Sequence, residues 1–364
     1  ELYTDVTKVK EKEFRATFEI KGKALYPKLD VLFAMMREIL MESKLGDEKR
    51  LKEILSMLKT RLQTSFLSAG HTTAVLRSLS YTSPIARFRD ITSGIGFYEV
   101  VKDLEENFEE RKELLIENLK KIAGRIFRKE NLMLSYTSAQ EGLAVLEKAV
   151  PQFADSLHTG EKESHGQCII HCKKRNEGFR TSSKVQYVAR TGNFIDGGAE
   201  YTGALQILKV ILSYDYLWQN VRVKGGAYGC MSGFNRIGEG YLVSYRDPNL
   251  EKTMEIYEGV VDYLKNFDID DRDMNKFIIG TISNLDRPMN PAAKGSRSLN
   301  LYMNRITEEM IRREREQILD AQQEDIRGLA TVLEAVLAAG ELCVIGSEEK
   351  IEEAKEMFGE IRTL

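Results

Sequence analysis

The chain has 364 residues, of which 42% are hydrophobic and 30% charged, enough for about two domains with a core each. Lys plus Arg total 53 against 56 for Asp plus Glu, a net charge of −3, and the signs are interspersed. That balance excludes both the basic footprint of a nucleic-acid binder and a polybasic membrane patch.

A strand is expected over Phe14–Ile20, where Phe14, Ala16, Phe18 and Ile20 alternate with polar residues. After Gly22, Pro27 opens a helix with Leu29, Leu32, Phe33, Met36, Ile39 and Leu40 on one face. Asp47 caps a second helix carrying Leu51, Ile54, Leu55, Leu58 and Leu62, and a third runs from the Gly70–His71 turn towards Leu79. A further helix covers Glu110–Phe127. Leu132–Tyr136 then reads as a strand, and Ser138 as the cap of a helix from Ala139 to Phe153. The stretch from Ser156 to Ser183, rich in His, Gly, Lys and Ser, breaks the helical period and marks a boundary.

Beyond it a strand is expected at Val185–Ala189. A helix apolar nearly all round follows at Leu205–Val221, hence largely buried. Lys209 and Asp215 interrupt that run, so it does not read as a membrane span. Strands follow at Ala227–Phe234 and Tyr241–Tyr245, joined by a turn at Asn235–Gly238. Asp247–Pro248 then reads as the cap and first residue of a helix, and Asp270 opens a second one. Helices are expected at Thr307–Leu319 and Glu324–Leu337, then a strand at Leu342–Ile345 and a Ser347-capped closing helix to Phe358. The recurrence of strand, helices, strand and Ser-capped helix indicates a duplicated α+β unit, residues 1–165 and 166–364. Each is expected to be an antiparallel-rich sheet with helices on one face.

The most informative segment is Arg222-Val-Lys-Gly-Gly-Ala-Tyr228. On a straight strand its ends would lie roughly 20 Å apart, but the Gly225–Gly226 pair permits a reversal that folds guanidinium and phenol together. Arg222 supplies a permanently charged fork of donors, and Tyr228 a neutral hydroxyl donor. Two such donors suit a carbonyl oxygen that gains negative charge when attacked. From spacing alone, a glycine helix stop with an ordinary surface Arg and a half-buried Tyr remains the favoured reading.

Read together, Arg222-Val-Lys-Gly-Gly-Ala-Tyr228 and Ser244-Tyr-Arg-Asp-Pro248 resemble the C-terminal half of presequence proteases, in the pitrilysin/insulinase family. Gly70-His71-Thr-Thr-Ala74, Val185-Gln-Tyr-Val-Ala189, Tyr216-Leu-Trp218 and Gly280-Thr-Ile-Ser-Asn-Leu-Asp-Arg-Pro288 extend the resemblance over nearly the whole chain. The resemblance implies two halves closing around a chamber. The N-terminal half would hold zinc through a His-x-x-Glu-His motif, and the C-terminal half would add an Arg and a Tyr at the scissile bond. Those roles fall on Arg222 and Tyr228 as catalytic residues, with Gly225, Gly226 and Arg246 as substrate-binding residues.

This chain has no zinc motif of its own. His158-Thr-Gly-Glu161-Lys162 ends in Lys, and an ammonium cannot replace an imidazole ligand. His158, His165, Cys168, His171 and Cys172 are possible ligands, but they lack the paired spacing of structural zinc sites. An ordinary linker and edge strand is the default there, so no metal is expected in this chain. The run Arg312-Arg-Glu-Arg-Glu316 reads as a solvated helix face. Gly192, Gly197 and Gly198 lack the order of a phosphate loop.

The expected function is that of the C-terminal half of a zinc endopeptidase acting on short unfolded peptides, inactive by itself. The alternative is a non-catalytic peptidase-like subunit that pairs with a separate active chain. The expected partners are therefore the N-terminal half, or that active subunit, and unfolded peptides, with no nucleic acid and no membrane. Four cysteines fit a reducing compartment, so the cytoplasm is expected, with an organellar matrix as the other option. The start at Glu1, without initiator Met or leader, is expected of a fragment or processed product.

Overall fold

A computed structural model describes residues 1–10, 13–160 and 170–364. The chain forms two compact units interleaved in sequence. Unit 1 comprises Glu1–Thr60, Tyr98–Ile169 and Met289–Arg305, and unit 2 comprises Arg61–Phe97, Ile170–Pro288 and Ile306–Leu364.

In chain order the elements begin with β1 (Leu2–Lys10), β2 (Glu13–Ile20), α1 (Leu29–Met41), α2 (Glu48–Ser68), α3 (Gly70–Leu79) and α4 (Pro84–Ser93). Next come α5 (Ile95–Glu106), α6 (Phe108–Ile126), α7 (Glu141–Asp155), β3 (Glu177–Thr181), β4 (Tyr187–Asn193) and α8 (Ala204–Tyr214). A π-helical turn, Trp218–Val223, leads into β5 (Gly229–Phe234), β6 (Glu239–Tyr245), α9 (Glu251–Glu258), α10 (Val260–Lys265) and α11 (Asp271–Leu285). The chain continues through α12 (Pro291–Met303), α13 (Glu308–Leu319), α14 (Gln323–Gly328), α15 (Ala330–Ala338), β7 (Glu341–Ser347), α16 (Glu348–Glu353) and β8 (Glu360–Thr363).

In unit 1, β1 and β2 form an antiparallel ribbon. Leu29 and Phe33 on α1 meet Leu146, Ala149 and Phe153 on α7 in a small buried core, with the Phe33 and Phe153 rings 5.3 Å apart. Unit 2 is built on a six-stranded sheet of order β5-β6-β4-β7-β3-β8. The β5·β6, β6·β4 and β4·β7 ladders are antiparallel, whereas β3 runs parallel to both β7 and β8. The fold is therefore α+β with antiparallel-rich pairing.

Alternation along β4 assigns its two faces. Val188 faces the main core, which is dominated by Leu205, Ile207, Leu208, Ile211 and Leu212 of α8, each at most 1% exposed. Burying one such side chain contributes roughly 1.5–3 kcal/mol, so α8 anchors the unit. Tyr187 and Thr191 face the other way, towards α3, where the Thr191 and Ser78 hydroxyls share a hydrogen bond of 2.8 Å.

That second face carries a buried ionic network. Arg77, 1% exposed, donates through Nε and Nη2 to the Glu177 carboxylate at 2.5 and 2.8 Å, and through Nη1 to Asp90 at 2.8 Å. Tyr81 adds a bond to Glu177 at 3.0 Å, and the Gly96 N–H reaches Asp90 at 3.2 Å. Such a network holds only because each charge is matched and hydrogen-bonded.

Several elements depart from the sequence reading. Residues 132–136 carry no strand, so the paired endings are alike in pattern but not in structure. Ser138 does not cap α7: its hydroxyl bonds the Ala139 carbonyl, and the helix starts at Glu141. The long apolar helix ends at Tyr214, and the chain re-forms as the π-helical turn. Asp247 is not an N-cap, since α9 begins four residues later. Buried, it instead accepts from the Asn249 N–H at 2.9 Å and the Thr253 hydroxyl at 2.7 Å. On α13, Glu314 turns inward to take the Tyr201 hydroxyl at 2.7 Å and Arg236, so that run is not solvated throughout. Asp47, Asp270, Thr307 and Ser347 cap as expected, each accepting from the N–H three residues on.

Candidate functional site

Local hydrogen bonding explains how the Gly-Gly bend works. In the π-helical turn the Lys224 N–H reaches back five residues to the Gln219 carbonyl at 3.0 Å, a widened helix of the kind that recurs at functional sites. The Gly226 N–H bonds the Arg222 carbonyl at 2.9 Å and the Ala227 N–H bonds that of Val221 at 3.1 Å. Gly226 sits at φ +80°, a conformation costly for any residue with a Cβ. At Gly225 a Cβ would lie 2.4 Å from the Val221 carbonyl oxygen, so only glycine fits the close turn. The Asn249 side chain fastens the bend by donating to the Gly225 carbonyl at 2.6 Å.

The bend brings Arg222 and Tyr228 together. The guanidinium carbon of Arg222 lies 5.6 Å from the centre of the Tyr228 ring and 4.1 Å from that of Trp218. Tyr228 is 65% exposed and lies immediately before β5. Its N–H bonds the Arg246 carbonyl at 3.2 Å, which ties it to the end of β6. Arg246 adopts φ +48° and is exposed, and its guanidinium lies 5.5 Å from the Tyr245 ring. All five residues singled out in the sequence thus fall on this one bend and the adjoining strand end.

Behind Tyr228 stands an aromatic group that the chemistry of the sequence did not suggest. The Tyr245 ring is 5.8 Å from Tyr228, 5.6 Å from Tyr187 and 4.8 Å from the His71 imidazole. Burial lowers the His71 pKa, which favours the neutral imidazole. Burial raises that of Tyr187 against the opposing pull of a hydrogen bond from Arg246. Beneath the bend, burial pushes the Cys230 thiol up to about 11, with Arg222 pulling the other way, so it stays protonated. The available sequence signal was that His71, Tyr187, Trp218 and Tyr245 all lie in the short motifs quoted above, although none there had an assigned chemistry.

The arrangement offers two polar donors on an exposed bend, braced by aromatic rings, and can receive an acceptor-rich group such as a peptide carbonyl. The family model of the PreP C-terminal domain matches residues 176–348, and a second model, described as peptidase-associated, matches residues 1–104. The chain belongs to the presequence-protease family. Protein HypA of Clostridium perfringens is 36% identical over 98% of this chain and 36% of its own length. Presequence protease 1, chloroplastic/mitochondrial, of Arabidopsis thaliana is 30% identical over 92% of this chain and 31% of its own. The mitochondrial presequence protease of Saccharomyces cerevisiae is 26% identical over 87% and 33%. The chain thus spans about a third of the length of these curated relatives.

Two solved structures share the fold. Pitrilysin aligns with a TM-score of 0.56 at 11% identity, over 87% of this chain and 33% of its own. A conserved protein from Enterococcus faecalis V583 aligns with a TM-score of 0.56 at 15% identity, over 96% and 82%.

The family resemblance implies zinc, and the described residues do not fit it. Among them no group of three or more His, Cys, Asp or Glu side chains could hold a metal ion. Of the weighed cluster, His165 and Cys168, with Glu161 and Lys162, lie outside the described residues. His158 and His171 are exposed and Cys172 is half-buried. Among the described residues no helix is long and apolar enough to cross a membrane.

Proposed function

We propose that this chain is the C-terminal half of a zinc-dependent endopeptidase that cuts short unfolded peptides inside a closed chamber. It supplies Arg222 and Tyr228 to a zinc site held by the N-terminal half. The observation that supports this most is the Arg222–Tyr228 pairing, a guanidinium 5.6 Å from an exposed phenol ring on a glycine bend. The guanidinium carries fixed positive charge and the phenol a neutral O–H. Both aimed at a scissile carbonyl oxygen would stabilise the charge that develops there during attack. Arg246 and the Gly225–Gly226 backbone hold the neighbouring peptide segment. The division into related domains 1–165 and 166–364 is a proposal from the recurring sequence pattern, and its bounds differ from those of the interleaved compact units. In this reading the chain by itself does not hydrolyse peptides. A reducing compartment, cytoplasm or organellar matrix, suits the free cysteines Cys172, Cys230 and Cys343.

The test is the full open reading frame assayed on an unstructured peptide, with and without chelator, beside the isolated chain. Arg222→Ala and Tyr228→Phe are each expected to lower kcat by about a hundredfold, as loss of an oxyanion donor does. The isolated chain is expected to be inert. Unchanged kinetics in both variants, or chelator-sensitive cleavage by the chain alone, contradict the proposal. A full reading frame without activity in any form would favour the non-catalytic subunit instead.

A further inference from the structure

We infer that Tyr245, backed by His71 and Tyr187, is a positioning residue that holds the Tyr228 phenol in its working place. The inference rests on the proposed role of Tyr228 and adds residues to which no function has been assigned.

Tyr228 is 65% exposed, so little packing fixes its ring. Two contacts do: the Arg222 guanidinium, and the Tyr245 ring at 5.8 Å with an interplanar angle of 68°. Tyr245 is half-buried and locked in turn. His71 meets it edge-on at 4.8 Å and 75°, Tyr187 lies at 5.6 Å, and the Arg246 guanidinium at 5.5 Å. Edge-to-face aromatic pairs of this kind are worth about 0.5–1.5 kcal/mol each beyond their area, enough to select one ring orientation.

The support continues into α3. The Tyr187 hydroxyl donates to the Leu67 carbonyl at 2.6 Å. A Cβ on Gly70 would sit 2.2 Å from the Tyr187 ring, so a glycine is required where the first turn of α3 presses on that ring. The Gly70-His71 pair therefore seats the stack. His71 Nδ1 is buried with no hydrogen-bond partner among the described residues. An unpaired buried nitrogen costs stability, so the contact that His71 makes at this point is that of its ring with Tyr245. The short motifs at 70–74, 185–189 and 244–248 thereby acquire one shared purpose: they build the back wall of the Tyr228 site.

A positioning role is separable from a merely structural one by a double-mutant cycle in the full-length enzyme, assayed on an unstructured peptide. Tyr245→Ala is expected to lower kcat tenfold or more with KM changed by less than about threefold, since a misplacement of about 1 Å is enough for such losses. Tyr245→Phe keeps the ring and is expected to restore the rate to within about threefold of wild type. Combined with Tyr228→Phe, Tyr245→Ala is expected to add almost nothing, because both remove the same interaction. Should Tyr245→Ala fail to fold by circular dichroism, His71→Leu carries the same cycle. Tyr228→Phe slow but Tyr245→Ala at the wild-type rate overturns the inference alone, as do fully additive losses. Tyr228→Phe at the wild-type rate overturns both the proposed function and the inference.

Discussion

Glu341 opens β7 at 2% exposure, and its carboxylate accepts from the Thr191 hydroxyl at 3.3 Å. Burial pushes its pKa up to about 7 from an ordinary 4.5, against the pull of Thr82, Thr191, Lys174 and Arg190. The folded protein thus holds this proton more tightly than the unfolded chain. The resulting stabilisation is complete below pH 4.5 and is lost as the pH rises through 7. Between pH 5 and pH 8 the loss amounts to about 2.5 kcal/mol. Glu341→Gln mimics the protonated side chain and should be free of that loss. Urea titrations of both proteins at pH 5, 6, 7 and 8 measure it directly. Relative to its standing at pH 5, the variant is expected to gain on the wild type mostly between pH 5 and 7 and to level off near about 2.5 kcal/mol by pH 8. Parallel stability profiles would refute the reasoning and mean that Glu341 stays ionised when folded.

Arg77→Ala leaves the buried carboxylates of Glu177 and Asp90 without their shared guanidinium and is expected to cost about 3–5 kcal/mol in chemical denaturation. A loss under about 1 kcal/mol would mean that neighbouring arginines compensate. Gly226→Ala meets nothing closer than Pro248 at 3.6 Å, so its cost is backbone strain alone, about 1–2 kcal/mol. Gly225→Ala, blocked by the Val221 carbonyl, is expected to lose more, and thermal melts of the two rank the effects.

The fold was legible where one period or one cap governed. Asp270 and Thr307 carried the starts of α11 and α13, and Met274 and Ile278 are buried on α11. It was not legible where the tertiary setting decides. Leu132–Tyr136 has the apolar pattern of a strand but no partner to pair with among the described residues, and a strand without a ladder does not form. The α8 run reads as one helix because the periodicity continues past Tyr214. The interruption and the π-helical turn come from backbone hydrogen bonding, which leaves no mark on the apolar pattern.

At the site, the Gly-Gly pair permitted Arg222 to approach Tyr228, but spacing alone favoured a plain glycine helix stop, and the expectation that the two meet came from the resemblance to presequence proteases. His71, Tyr187 and Tyr245 are far apart in sequence and meet only through the packing of α3 on the sheet. No spacing rule connects them. The zinc question rests on the sequence, where His158-Thr-Gly-Glu161-Lys162 ends in Lys, and Glu161 and Lys162 lie outside the described residues.

The central claim is that Arg222 and Tyr228 act on the scissile carbonyl of a peptide. A structure of the full-length enzyme with an uncleaved peptide bound tests it most directly. The expected result places an Arg222 guanidinium nitrogen and the Tyr228 hydroxyl each within about 3.2 Å of that carbonyl oxygen, hydrogen-bonding distance. A peptide bound with its scissile carbonyl beyond reach of both groups would contradict the claim.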